Sequence, residues 1–298
     1  WRKARGLPYA LARCSECGHI AVCDRERSPA QNEAIQLDTF DVAFARRSGV
    51  FVSFYENINN RRTARALRFD PRSNVLEVGP GSGSLMAYLA RLGHKVTGLD
   101  LSETVVSAIR EKLGLNACVG TLAQHAADTG DARYDIIIMR HTLEHIYEPI
   151  PALEDTFKLL RPTGKLYIAV PNMDSWHRVF PGWNGYAFDH MHYFRQQSLH
   201  IALRRVGFSV ISSHTYESIT GWANSLIHSI PSLGRTLGTA LPNPGSNNLN
   251  LKTTRVFARN SLEIARCTFG LLLSPLRWVQ GGLGRGEELV MIAMKPAS

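Results

Sequence analysis

Residues 75–83 read VLEVGPGSG, an apolar run that enters three glycines at alternate positions and then passes into the helix-forming LMAYLARLG. Few stretches limit a fold more tightly. Val75, Leu76 and Val78 suit a strand buried on both faces of a parallel sheet. Gly79, Gly81 and Gly83 lack the β-carbon that would hold backbone N–H groups away from a ligand, and they permit the positive φ values of a tight strand-to-helix turn. A strand, a turn and a helix are therefore expected here, with a nucleotide-like ligand at the turn. Glu77 falls inside the strand, where an unpaired carboxylate is costly, so a positive ligand group or a donor network is expected beside it.

A second strand, KVTGLD, ends at Asp100, 21 residues after Gly79. A carboxylate at that distance can accept from both hydroxyls of a ribose. The loop itself reads GPGSGS, without the G-x-G-x-x-G spacing of a pyrophosphate cradle. A ligand lacking pyrophosphate fits it better, which leaves an NAD-dependent oxidoreductase as the weaker alternative.

Further strands are expected near 116–119, 134–140 and 165–170, alternating with helices near 83–92, 102–113 and 148–161, and that alternation argues a doubly wound α/β sheet. Ser102 is placed as an N-cap, and Pro162 with Gly164 is expected to close the helix carrying Phe157, Leu159 and Leu160. A helix near 196–206 leads into GFSVISSHTYE as a sixth strand, and ELVMIAMK supplies the seventh.

On three stretches in this order, VLEVGPGSG with Asp100, YDIIIMRHTLEHIYEP (134–149) and LLRPTGKLYIAVPN (159–172), the chain resembles the class I S-adenosylmethionine-dependent methyltransferases, over roughly residues 50–214 plus the last strand. The resemblance implies a seven-stranded, mostly parallel, Rossmann-like sheet whose last strand inserts antiparallel between the fifth and sixth. It implies Glu77, Gly79, Gly81 and Gly83 around the methionine moiety of the cofactor, Asp100 with Leu101 at the ribose, and Gly120 with Thr121 beside the adenine. The family often carries an acid near that last position, where this chain has Thr121 and Leu122. Arg140 and His141, past the fourth strand, complete the candidate cofactor contacts, although Arg140 could equally be a solvated strand terminus.

Ligands of open α/β sheets lie at the carboxyl ends of the strands, which directs attention to two histidine groups. FDHMHYF (188–194) places Asp189 beside His190, a pairing suited to a general base whose carboxylate holds the imidazole. The group also resembles a histidine segment of sugar- and quinone-modifying methyltransferases. His190 is the expected base, Asp189 its orienting acid and His192 the next candidate; a structural histidine is the plainer alternative. HTLEH puts His141 and His145 four apart with Glu144 beside them, which admits a metal reading if they share a helix face. A site wall or a turn cap is the favoured one, and no metal is assigned.

The amino-terminal RCSECGH carries Cys14 and Cys17, half of a zinc ribbon. Zinc is expected only where a second CxxC completes it. The start WRKARGLPYA has no initiating methionine and no apolar leader core, as in a fragment or processed chain. Residues 1–72 then read as this half-ribbon plus a helical lid, 73–217 as the cofactor-binding core, 218–286 as an insert and 287–298 as the last strand and tail.

The net charge is +9, and between 218 and 286 Glu263 is the only acid against seven Lys and Arg residues. Basic residues among Trp222, Leu226, Ile227, Phe269, Leu271, Leu272 and Trp278 suit an element lying on a membrane surface, while an ordinary helical cap on the sheet is the plain alternative. No run of apolar residues is long enough to span a bilayer. No RNA-binding motif accompanies the charge, so nucleic acid is not an expected partner. Five cysteines at irregular spacing fit a cytoplasmic location, peripheral on the inner membrane face if the insert meets lipid.

The activity these features imply is methyl transfer from S-adenosylmethionine, yielding S-adenosylhomocysteine, to an oxygen, or less readily a carbon, of a small or lipid-linked sugar, glycan or quinone-like phenol. A non-catalytic cofactor-binding or membrane-docked scaffold is the alternative from another class.

Overall fold

The computed structural model describes residues 2–3, 10–23, 34, 37, 50–131, 133–187, 189–230, 261–262 and 264–297. The expected strand, turn and helix open the central sheet as β4 (Asn74–Val78) and α2 (Ser84–Arg91), after a first helix α1 (Val50–Leu67). β5 (Lys95–Asp100), α3 (Glu103–Leu113) and β6 (Asn116–Val119) follow, then β7 (Tyr134–Arg140), α5 (Pro149–Leu159), β8 (Leu160–Pro171), α6 (Gln196–Val206), β10 (Ser209–Tyr216) and β11 (Glu288–Met294). The sheet order is β10-β11-β8-β7-β4-β5-β6, parallel except where β11 runs antiparallel between β8 and β10. This is the seven-stranded topology implied by the resemblance.

Local chemistry explains most of the boundaries. Ser102 caps α3, its Oγ accepting from Val105 N at 3.3 Å, and Gly114 ends that helix in the left-handed conformation. No element is expected between 119 and 134 from the apolar pattern, yet α4 (Leu122–Thr129) forms there. A capping box starts it: Thr121 Oγ1 accepts from Gln124 N at 3.2 Å, and Gln124 Oε1 accepts from Thr121 N at 2.8 Å. The helix before β8 is not closed by Pro162 and Gly164. It stops at Leu159, and the strand already begins at Leu160, with Thr163 at φ 63 and a register shift opposite Tyr134 and Ile136.

Side chains alternate to the two faces of the sheet. Leu76, Leu99, Ile137, Met139 and Leu166 pack with Leu153, Leu159, Leu199 and Leu203 on one face. Val75, Val96, Ile136 and Ile138 pack with Leu85, Met86, Leu89 and Ile109 on the other. Each fully buried aliphatic side chain contributes about 1.5–3 kcal/mol, so these two layers hold the strand ends in register.

A second, small antiparallel sheet is built from β1 (Arg2–Lys3), β2 (Ala10–Arg13), β3 (Ile20–Val22) and β9 (His192–Tyr193). Its β2–β3 turn carries Cys14 and Cys17 as a knuckle, with Gly18 at φ 68 donating to the Cys14 carbonyl at 3.1 Å. The backbone N–H groups of Cys17 and Glu16 lower the Cys14 pKa. The 218–286 insert is described as α7 (Gly221–Ser229), a helical stretch over 264–272 and α8 (Ser274–Gly282). The stretch LPNPGSNN (241–248), whose Pro, Gly and Asn content reads as a turn or loop, lies outside the described residues.

Candidate functional site

The carboxyl ends of β4, β5 and β6 are stitched together by backbone bonds. Gly79 N donates to the Leu99 carbonyl at 2.8 Å and Gly120 N to the Asp100 carbonyl at 2.9 Å. Gly79, Asp100 and Gly120 therefore occupy one edge. Gly79 adopts φ 69, and a Cβ there would sit 2.5 Å from Thr142 Oγ1. The backbone needs both the left-handed conformation and the missing atom. Asp100 Oδ1 accepts from Ser102 N at 3.0 Å, and Leu101 is half-buried beside it. Thr121 is exposed and serves the α4 cap, which accounts for its presence without any ligand.

Glu77 is 1% exposed. Its Oε1 lies 3.5 Å from Arg140, while Oε2 is buried with no hydrogen-bond partner. Burial lifts its pKa to about 7 against the opposing pull of Arg140. The positive group expected beside this carboxylate is in part Arg140, which also donates to Asn60 Oδ1 at 3.1 Å. An orphaned buried oxygen costs roughly 1–3 kcal/mol or more, and a cationic ligand group at Oε2 would satisfy it.

α1 closes over the same edge. Glu56 accepts from Ser82 at 2.9 Å, Asn60 reaches Ser84 at 3.4 Å, and Arg62 bonds Glu288 at the start of β11. Arg62 also lies 3.6 Å above the Tyr216 ring. Glu288 in turn accepts from His141 Nε2 at 3.0 Å. Burial opposes the Glu288 charge, but His141 and Arg62 outweigh it and hold its pKa down to about 2. The sequence pattern missed the Arg62, Glu288 and His141 link. ELVMIAMK announces an acid opening a buried strand, yet nothing in it points to a residue 226 positions away.

The two histidine groups meet. Thr142 Oγ1 donates to the Val78 carbonyl at 2.9 Å, which ties the loop after β7 to the glycine turn. Residues Leu143–His145 then make one 3-10 turn, and Met191 N donates to the Glu144 carbonyl at 2.8 Å. That bond seats residues 189–191 against Glu144 and His145. Ligand atoms of Glu144, His145 and His190 lie within 4.8 Å of one another, close enough to hold a cation.

This arrangement corrects three expectations. His141 and His145 do not share a helix face, because His141 has φ 52 and precedes the short turn. The Asp189 carboxylate does not orient His190: it lies 3.5 Å from His145 Nδ1, while His190 Nδ1 donates to the Gly185 carbonyl at 3.0 Å. His192 has both ring nitrogens engaged, one with His19 Nε2 at 3.0 Å and the other with the Tyr147 carbonyl at 3.2 Å. It ties the small sheet to the core.

His190 is buried, and burial lowers its pKa, opposed by the charges of Glu144 and Asp189. Donation from Nδ1 selects the neutral tautomer with its lone pair on Nε2. Glu144 is fully buried, and neither carboxylate oxygen has a hydrogen bond. Its His141 neighbour is 3.5 Å away, and the nearby histidines lower the Glu144 pKa against the effect of burial. The arrangement can accept a proton at His190 and keep an anion close to the imidazolium that results.

A second group, His177, Glu217 and Glu287, also falls within 4.8 Å. Two of its members are engaged internally: His177 bonds Glu217 at 2.8 Å and Ser225 at 2.9 Å, and Glu217 Oε2 accepts from Gln280 at 2.8 Å and from Glu287 N at 3.0 Å.

Residues 51–213 match the family described as Methyltransferase domain. Among curated relatives, the ubiquinone biosynthesis O-methyltransferase of Aeromonas salmonicida (strain A449) is 31% identical over 103 residues, which cover 33% of this chain and 43% of the relative. The protein of the same name from Parvibaculum lavamentivorans is 34% identical over 115 residues, covering 37% and 44%. The chain thus spans less than half the length of these relatives. Among solved structures, a SAM dependent methyltransferase from Archaeoglobus fulgidus superposes with a TM-score of 0.52 at 18% identity, covering 80% of this chain and 94% of that one. The 1,6-didemethyltoxoflavin-N1-methyltransferase of Burkholderia thailandensis, solved with S-adenosylhomocysteine, gives 0.54 at 17%, covering 96% and 100%. At such identities the superpositions establish the fold.

Proposed function

Because this chain belongs to the methyltransferase-domain family, with the class I S-adenosylmethionine-dependent fold, we propose that it methylates an oxygen of a quinone-like phenol, small or lipid-linked. The observation that supports the reading is the shared strand edge: a glycine turn with an orphaned Glu77 oxygen and Asp100 beside it, and a Thr142 bond that ties to that turn the loop whose Glu144 seats residues 189–191. The relatives named for ubiquinone biosynthesis favour the phenol over a sugar or glycan.

S-adenosylmethionine, when bound, supplies an electrophilic methyl on a sulfonium. Glu77 Oε2 is the group we assign to its ammonium, Asp100 to its ribose hydroxyls, and the backbone of the glycine turn to its methionine moiety. The chain then has two tasks, to hold the acceptor oxygen in line with the departing sulfur and to take its proton. His190 Nε2 would take that proton while the bound cofactor supplied the methyl and departed as S-adenosylhomocysteine. Glu144 steadies the imidazolium. Gly185 keeps the ring in its tautomer. A lipid-linked acceptor also requires contact with a membrane surface, which we assign to the 218–286 insert.

Calorimetric titration with S-adenosylmethionine, S-adenosylhomocysteine and NAD tests the reading. Binding of the two adenosyl ligands without NAD supports it; NAD alone binding would reject it. Cofactor binding with no methylation of any phenolic acceptor would favour a scaffold.

A further inference from the structure

Between 264 and 283, Ile264, Leu271, Leu272, Trp278, Val279 and Leu283 are each more than half exposed, with Leu272 at 76% and Trp278 at 81%. Scattered surface leucines need no explanation, but six large, more than half exposed apolar side chains on two consecutive helical stretches do. We propose that this stripe lies on an anionic lipid bilayer and so sets the catalytic edge against the membrane, a reading that rests on the lipid-linked acceptor proposed above and gives it a location.

The stripe cannot be hidden by rolling α8. Its opposite face is held by buried polar bonds: Gln280 accepts from Trp222 Nε1 at 2.8 Å and donates to Glu217 Oε2 at 2.8 Å and to the Arg285 carbonyl at 2.9 Å. Arg277 donates to the carbonyls of Ser218, Glu217 and Gly270. Turning the helix would break bonds whose partners are buried, so the apolar side chains stay outward.

Charge selects the occupant. In sequence the insert carries seven basic residues, of which Arg277 is turned inward, against the single acid Glu263, so a second copy would bring two strongly basic segments together, whereas an anionic bilayer is complementary. Among the described residues no helix is long and apolar enough to cross a membrane, and a helix with one apolar face outward suits the interface plane. An exposed Trp beside leucines is what that zone accommodates. Glu288, whose carboxylate bonds His141 at the catalytic edge, lies five positions after Leu283. At full extension that span reaches about 18 Å, short enough for a phenolic headgroup to enter while its tail stays in lipid.

The test is sedimentation of the full chain with vesicles, without cofactor or acceptor. Vesicles of phosphatidylcholine mixed with phosphatidylglycerol should pellet the protein, salt should weaken this, and phosphatidylcholine alone should retain little. The exposed pair Leu272→Ser and Trp278→Ser together should reduce partitioning about tenfold or more, with an unchanged circular dichroism spectrum. Wild-type protein left in the supernatant of anionic vesicles overturns the proposal. So does a concentration-dependent dimer in ultracentrifugation that the double variant abolishes, which would give the stripe to a second copy. Failure of the methyl-transfer reading would leave the vesicle result untouched.

Discussion

The Asp189 carboxylate lies 3.5 Å from His145 Nδ1, although His190 is its neighbour in sequence. The buried anion left to serve His190 is Glu144, whose two oxygens make no hydrogen bond. Glu144→Gln should therefore lower kcat about tenfold or more and move the acidic limb of the kcat profile downward, since the imidazolium loses its counter-charge. Asp189→Asn, which removes the smaller of the two charges that raise the His190 pKa, should move that limb in the same direction but less. Steady-state rates across pH for the two variants check this; equal displacement of the limb by both would contradict the assignment.

With Glu77 assigned to the cofactor ammonium, cofactor affinity should depend on pH. Burial raises the Glu77 pKa to about 7, and a cationic ligand favours the ionised carboxylate, so binding should weaken as pH falls through that value. The limit is about tenfold per pH unit on the acid side. Calorimetry at several pH values on the wild type and Glu77→Gln measures the difference. A dependence that persists unchanged in the variant would remove Glu77 from the site.

Glu288 has the opposite sign. Its folded pKa is lowered to about 2, below the ordinary value of 4.5, so its contribution is present above about pH 4.5 and is lost as pH falls toward 2. The shift corresponds to stability on the order of 3 kcal/mol. Denaturant unfolding near neutral pH and in acid should show the wild type losing more stability than Glu288→Gln on acidification. Parallel losses would mean that the contacts with Arg62 and His141 contribute little.

The sheet was legible because apolar runs and glycine turns act locally. VLEVGPGSG and KVTGLD each announce a strand end whatever surrounds them, and Ser102 caps α3 from three residues away. What could not be read depends on distant partners or weak patterns. α4 rests on the Thr121 capping box more than on apolar periodicity. Glu288 acquires its role from Arg62 and His141, on elements far apart in the chain. The histidine clusters were visible as residue types, but their pairing was not. A left-handed His141 and a one-turn helix decide which imidazole faces which carboxylate, and Asp189, adjacent to His190 in the chain, lies against His145 instead.

Transfer of labelled methyl from S-adenosylmethionine to polyprenyl phenols, comparing wild type with His190→Ala at saturating cofactor, tests the central claim most directly. The account predicts turnover by the wild type and a loss of about a hundredfold or more in the variant, with cofactor affinity nearly unchanged. Full turnover in His190→Ala, or no transfer to any phenolic oxygen by the wild type despite cofactor binding, would contradict it.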